Sequence, residues 1–169
     1  HTRTRRQRQM CIRDSVKPLN EGSSVNVFIC NKNNILKTLT KLNEYGEVLL
    51  EKYIPGREIQ VAILENKVLG AIELRPTRKF YDYQAKYNPK ARTEHIIPVE
   101  ISKRKYQELT KIALKAHKIL NCRGVTRSDF RYYKNSFYLL ETNTQPGMTS
   151  LSLVPEIANF NNITFKNLI

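Results

Sequence analysis

The chain has 169 residues, 40% of them hydrophobic, with a formal net charge of +14. That length suffices for one domain with a real core, and no apolar run approaches the ~20 residues of a membrane-spanning helix. So basic a balance raises nucleic acid as a partner, but the stacking-aromatic and glycine signatures of an RNA-binding sheet are missing, and a basic surface equally suits a site for a polyanionic nucleotide.

Residues 1–15 carry five arginines against one aspartate and show no apolar period. They read as a non-native or disordered leader, without the apolar stretch of a signal peptide. Residues 16–169 read as the domain. A strand, a glycine-serine loop and a second strand are expected over 15–29. Ile35, Leu36, Leu39 and Leu42 give a helical period over 33–45, with Gly46 where a C-terminal cap belongs. A strand over 48–54 ends at Pro55-Gly56. Strands over 58–64 and 68–74 flank a turn at Asn66-Lys67, which makes a hairpin. Residues 76–98 are tyrosine-rich and polar without clear period, and so long a loop in a compact domain is disordered or functional.

The clearest helix is 102–121, where Tyr106, Leu109, Ala113, Ala116 and Leu120 follow one face. His117, at the edge of that stripe, reads as a packing residue. A second hairpin joins 125–132 to 136–142 through Lys134-Asn135. After it, a loop leads into a helix from Leu153, with Pro155 tolerated in the first turn. Antiparallel strands dominate, so the fold class is α+β. Cys11, Cys30 and Cys122 are odd in number and widely spaced. They suggest neither a disulfide framework nor a zinc site, and read as reduced thiols of a cytoplasmic protein. The three histidines show no ligand spacing.

The second hairpin carries the chemistry. Strand side chains alternate, so Arg127 and Asp129 share a face, as do Glu141 and Asn143. The short turn sets Asp129 opposite or diagonal to Glu141. Two carboxylates and a carboxamide, without sulfur or imidazole, suit Mg²⁺. A metal-held phosphate beside an arginine belongs to phosphoryl transfer. Apolar Phe137, Leu139 and Leu140 run straight into Glu141, so that carboxylate is expected at the end of a buried strand, where a cation relieves the cost of its charge. The segment from Gly147 onward supplies a loop and a helix start, whose N–H groups can receive an anion.

Four motifs in order carry a family resemblance: Lys17-Pro18 with Glu21 to Val25; Glu51-Lys52-Tyr53-Ile54-Pro55-Gly56-Arg57-Glu58; Phe80 to Tyr87; and Glu141 through Pro155. From about residue 16 to 169 the chain resembles the C-terminal part of D-alanine–D-alanine ligase, an ATP-grasp enzyme. The resemblance implies a mostly antiparallel ATP-grasp fold with packed helices, incomplete at its N-terminal side. It implies ATP-dependent joining of two D-alanines through an acyl phosphate, for peptidoglycan precursor synthesis in the cytoplasm. The partners implied are ATP, D-alanine and a second copy of the full-length chain, with no nucleic acid and no membrane. The fragment by itself is expected to be inactive.

By the same resemblance, Lys17 and Lys86 contact ATP, and Glu51, Lys52 and Ile54 line the adenine. Glu58 reaches the ribose hydroxyls. Asp129, Glu141 and Asn143 hold two Mg²⁺ or Mn²⁺ ions. Arg127, Ser23, Tyr87 and the Gly147 N–H serve catalysis, and Ser152 and Leu153 receive the carboxylate of the second D-alanine. Residues 76–98 resemble the lid that keeps water from the acyl phosphate. Two positions depart from the usual pattern: Asn26 stands where glycine is usual, and Thr126 where a smaller residue precedes the arginine. Asparagine tolerates left-handed backbone, so the loop survives the first change. The alternatives are another ATP-grasp carboxylate–amine ligase and, from a different class, a basic nucleic-acid-binding module. A D-lactate-using relative is disfavoured by Tyr87.

Overall fold

A computed structural model describes residues 14–21, 25–76 and 93–169. Ser23, Lys86 and Tyr87, with most of the leader and the lid, lie outside the described residues. The described part separates into two compact units, one before Pro55 and one from Pro55 onward.

In the first unit, β1 (Asp14–Pro18) lies between β2 (Phe28–Cys30) and β3 (Val48–Lys52) in an antiparallel sheet. β1 thus takes in Asp14 and Ser15, within the stretch that composition assigns to the leader. Between β2 and β3 run α1 (Ile35–Lys41) and a 3₁₀ turn (Asn43–Tyr45) ending at Gly46. Val16, Cys30 and Leu42 form its small core. Asn26 adopts φ 53°, and its side-chain amide donates to the Tyr45 hydroxyl at 2.8 Å. The left-handed conformation expected of it is therefore used and anchored. β3 stops at Lys52, short of the expected Ile54.

The second unit is a five-stranded antiparallel sheet in the order β6-β5-β4-β7-β8. Its strands are β4 (Arg57–Leu64), β5 (Lys67–Pro76), β6 (Thr93–Ile96), β7 (Val125–Tyr133) and β8 (Ser136–Asn143). The β4–β5 turn falls at Glu65-Asn66, because Leu64 pairs with Lys67. Sequence placed it one residue later; Glu65 itself takes the left-handed position, φ 53°. β6 was not expected. It pairs with β5 within the stretch assigned to the lid, and four residues with mixed burial carry too little periodicity to show in sequence.

Helices cover both faces. On one, α2 (Lys103–Ile119) sets Leu109 and Ala113 against Ile59, Val61, Ile63 and Phe130. Full burial of each larger side chain stabilises by roughly 1.5–3 kcal/mol. Ser102 caps α2, accepting from the Lys105 N–H at 3.3 Å. His117 is buried on this face with Nδ1 2.8 Å from the Thr126 hydroxyl, in keeping with a packing role. Leu120 departs from the expected stripe and lies exposed beyond the last turn of α2. On the other face, α3 (Leu153–Phe160) packs Val154, Ile157 and Ala158 over Ala62 and Ile72, with α4 (Phe165–Leu168) adding Leu168. Gly70 permits this approach: a Cβ there would meet Ile157 Cγ2 at 2.8 Å. Among the described residues no helix is long and apolar enough to cross a membrane.

Candidate functional site

The β7–β8 hairpin turns through Lys134 and Asn135, at φ 47° and 65°. Two successive left-handed residues match the twist of the flanking strands. The turn pairs Tyr133 with Ser136 through Phe130 with Leu139, and a one-residue shift beyond them pairs Asp129 with Glu141 and Arg127 with Asn143. The four groups therefore lie on one face of two adjacent strands, the α3 face. On the neighbouring strand, β4 sets Ala62, Gln60 and Glu58 opposite Arg127, Asp129 and Arg131.

Asp129 is only 6% exposed. Its carboxylate is gripped by Arg127, Nε to Oδ1 at 2.8 Å and Nη2 to Oδ2 at 3.1 Å. The two-nitrogen grip supplies a charge partner where water cannot. Across the ladder Glu141 is exposed. This corrects the expectation of a buried strand end. β8 is the sheet's edge, and Leu139 and Leu140 are 40% and 50% exposed. A register shift opposite Asp129–Phe130 makes Leu140 an unpaired bulge residue, which breaks the alternation on which the burial reading rested. Asn143 Oδ1 accepts the Gln145 N–H at 2.9 Å and so shapes the chain's exit from β8.

The donor set fits a hard divalent cation. Asp129, Glu141 and Asn143 offer only oxygen, and two of them face one another across the ladder. Among the described residues no group of three or more His, Cys, Asp and Glu gathers in metal-binding geometry; this set has two carboxylates and completes itself with a carboxamide. Beside Asp129, Gln60 is buried and its Oε1 has no partner among the described residues.

Beyond β8 the loop folds back on itself. Ser152 Oγ accepts the Thr149 N–H at 3.0 Å and lies 3.0 Å from the Thr149 hydroxyl. Gly147 passes so near that a Cβ there would meet Ser152 Oγ at 2.8 Å. Ser152 is the N-cap of α3. Leu153 packs its side chain against the α3 core, which leaves its backbone N–H as the group at the helix start.

Comparison with known proteins identifies the family. The family model described as D-ala D-ala ligase C-terminus matches residues 9–169. The chain belongs to that family. A D-alanine–D-alanine ligase of Pelagibacter ubique is 64% identical over 154 residues, covering 91% of this chain and 51% of the relative. The crystal structure of D-alanine–D-alanine ligase from Bacillus anthracis superposes with a TM-score of 0.80 at 34% identity, over 97% of this chain and 54% of that one. The same enzyme complexed with ATP gives 0.78 at 31% identity, over 97% and 53%. The fold is thus that of the ATP-grasp D-alanine–D-alanine ligases. The chain spans about half the length of the relatives it matches.

The second unit gathers Arg127, Asp129, Glu141 and Asn143 on one sheet face and holds Gly147 against Ser152. Glu58 stands two residues from Gln60 on β4 and pairs with Arg131 at 2.9 Å. In the first unit, Lys17 pairs with Glu51 at 2.9 Å, and Lys52 closes β3 with Ile54 beyond it. Sequence reasoning missed Arg131, Gln60 and Leu140. The first two continue the period-two rows of Arg127 and Glu58, so counting onward by two along each strand finds them. The bulge at Leu140 has no local signal.

Proposed function

We propose that the whole enzyme joins two D-alanines at the expense of ATP, through an acyl phosphate, in cytoplasmic peptidoglycan precursor synthesis, and that this chain supplies its nucleotide-binding and phosphoryl-transfer half. The observation that carries the reading is the register of the β7–β8 hairpin, which sets Arg127, Asp129, Glu141 and Asn143 together in a chain of this family. The full-length protein is read as a homodimer acting on ATP and D-alanine alone, without nucleic acid or membrane.

Asp129, Glu141 and Asn143 are the groups that would hold two Mg²⁺ or Mn²⁺ ions. Bound there, the ions supply positive charge to the ATP phosphates. Arg127 is the guanidinium that would stabilise the transferring phosphoryl group and the oxyanion formed as the amine attacks, with the Gly147 N–H as a second donor. Lys17 adds a point charge at the phosphates, Glu51, Lys52 and Ile54 line the adenine, and Glu58 accepts from the ribose hydroxyls.

Ser152 and the Leu153 N–H receive the carboxylate of the second D-alanine. The bonds to Thr149 support this reading, since they fix Ser152 Oγ before substrate arrives. Ser23, Lys86 and Tyr87 complete the reading as substrate and lid residues, with water exclusion as the lid's purpose.

The test is phosphate release and D-alanyl-D-alanine formation by the whole enzyme with Mg-ATP and D-alanine. ATP turnover that ignores D-alanine and responds to another amino acid would shift the reading to a different carboxylate–amine ligase.

A further inference from the structure

Glu58 and Arg131 are partners in the β4–β7 register, on the face that carries Asp129 and Glu141. Arg131 Nη2 lies 2.9 Å from Glu58 Oε2, and both side chains are nearly nine-tenths buried. Arg131 Nη1 donates to the Gly56 carbonyl at 3.2 Å. One arm of the guanidinium is thus tied to the backbone at the start of β4, and the other holds the carboxylate two residues on. A glutamate side chain has three rotatable bonds, and in a poorly hydrated place an unheld carboxylate follows whichever donor is nearest. The two-armed grip restricts it to one direction. Each carboxylate oxygen carries two lone pairs, so a Glu58 held through Oε2 keeps acceptor capacity for hydroxyl donors.

We propose that Arg131 is a positioning residue for nucleotide recognition: it fixes the Glu58 carboxylate so that the protein discriminates for the ribose hydroxyls of ATP. The inference rests on the reading of Glu58 as the ribose acceptor. It also explains a feature of β7 that phosphoryl transfer does not need. Arg127 and Arg131 flank Asp129 at equal spacing, yet only Arg127 holds that carboxylate in the two-nitrogen grip; Arg131 belongs to Glu58. Lysine in its place keeps the charge but not the fork, and so loses one of the two anchors.

The experiment compares ATP with 3′-deoxy-ATP and 2′-deoxy-ATP as substrates of the whole enzyme carrying this chain, by kcat/KM. The parent should prefer ATP, because a site built to bond a hydroxyl rejects an analogue lacking it. Glu58→Gln should erase most of that preference. Arg131→Met should lower it by about fivefold or more, with kcat at saturating ATP within about threefold of the parent. Arg131→Lys should fall between, and it serves as the readout where the methionine variant fails to fold. Adding Arg131→Met to Glu58→Gln should cost no further preference, since the arginine acts through the glutamate. A loss equal for all three nucleotides, leaving the preference intact, means a purely structural arginine and overturns the inference while Glu58 stands. A parent with no preference removes Glu58 from the ribose, and the inference with it.

Discussion

Asp129 and Glu141 face each other across one rung of the ladder, yet their surroundings differ. Asp129 is buried in the grip of Arg127, whereas Glu141 stands in water at the sheet edge. Because Glu141 is exposed, Glu141→Gln should change stability by less than about 0.5 kcal/mol. Turnover of the whole enzyme should nevertheless fall on the order of 10²–10³-fold, the scale of losing one group that stabilises developing charge. Parallel urea unfolding and steady-state assays separate the two effects, and turnover within a few-fold of the parent would remove Glu141 from the cation site. Gly147 gives a second test at this scale. Its hydrogen faces Ser152 Oγ, where a Cβ would sit at 2.8 Å. Gly147→Ala should displace the serine and raise KM for the second D-alanine by about tenfold, leaving KM for ATP within about twofold. Equal effects on both constants would argue against Ser152 as the acceptor-substrate group.

The hairpin that sets the register is built on a compromise. Lys134 occupies a left-handed position at φ 47°, which costs a residue with a Cβ roughly 1–2 kcal/mol. Lys134→Gly should stabilise the chain by about 0.5–1 kcal/mol, offset in part by losing the lysine's contact with the Tyr133 ring. Urea denaturation would show it as a higher midpoint with an unchanged slope. On the α2 face, Arg57 holds the buried Glu73 through two nitrogens and also donates to the Glu100 carbonyl at 3.1 Å. Burial by itself pushes the Glu73 carboxyl up. The Arg57 hydrogen bond and charge, helped by Arg75, outweigh it and hold the group below its ordinary value of 4.5. Its contribution is therefore present above pH 4.5 and is lost as pH falls through the lowered folded value. Arg57→Met should cost about 2 kcal/mol at pH 7, less than a fully buried pair because Arg57 keeps a third of its side-chain surface in water. That deficit should shrink as the pH falls through the parent's lowered folded value, once Glu73 is protonated in parent and variant alike. A deficit independent of pH would assign the loss to packing instead.

Across the whole molecule, the described residues amount to two compact units, and the chain spans about half the length of its relatives. The proposed reaction requires the first D-alanine, the second D-alanine and ATP to be enclosed together, away from water. Residues 1–169 by themselves should therefore release no D-alanine-dependent phosphate. The same chain joined to the remaining half of the Pelagibacter ubique ligase should do so. Phosphate release by the isolated chain that depends on D-alanine would place the complete site within it.

Local chemistry determined much of this protein by itself. Lys134-Asn135 between two alternating strands specified a hairpin with Asp129 opposite or diagonal to Glu141; the bulge at Leu140 decided which, since the turn alone pairs Asp129 with Leu140. The period of Tyr106, Leu109, Ala113 and Ala116, with His117 at its edge, specified α2 and its buried face, though Leu120 fell outside it, and Asn26 could be trusted with left-handed backbone. Four ordered motifs carried the family. What sequence could not fix depends on which strands have neighbours. Glu141 looked buried because apolar Phe137, Leu139 and Leu140 lead straight into it, but β8 has a partner on one side only and bulges at Leu140. β6 was hidden because an edge strand of four residues is recruited by β5 rather than by its own pattern. The pairing of Arg131 with Glu58 joins residues 73 positions apart, and only the β4–β7 register brings them to one rung. Alternation along one strand is a local property. Which face it shows to water, and which charge lies opposite, is decided by the strand beside it.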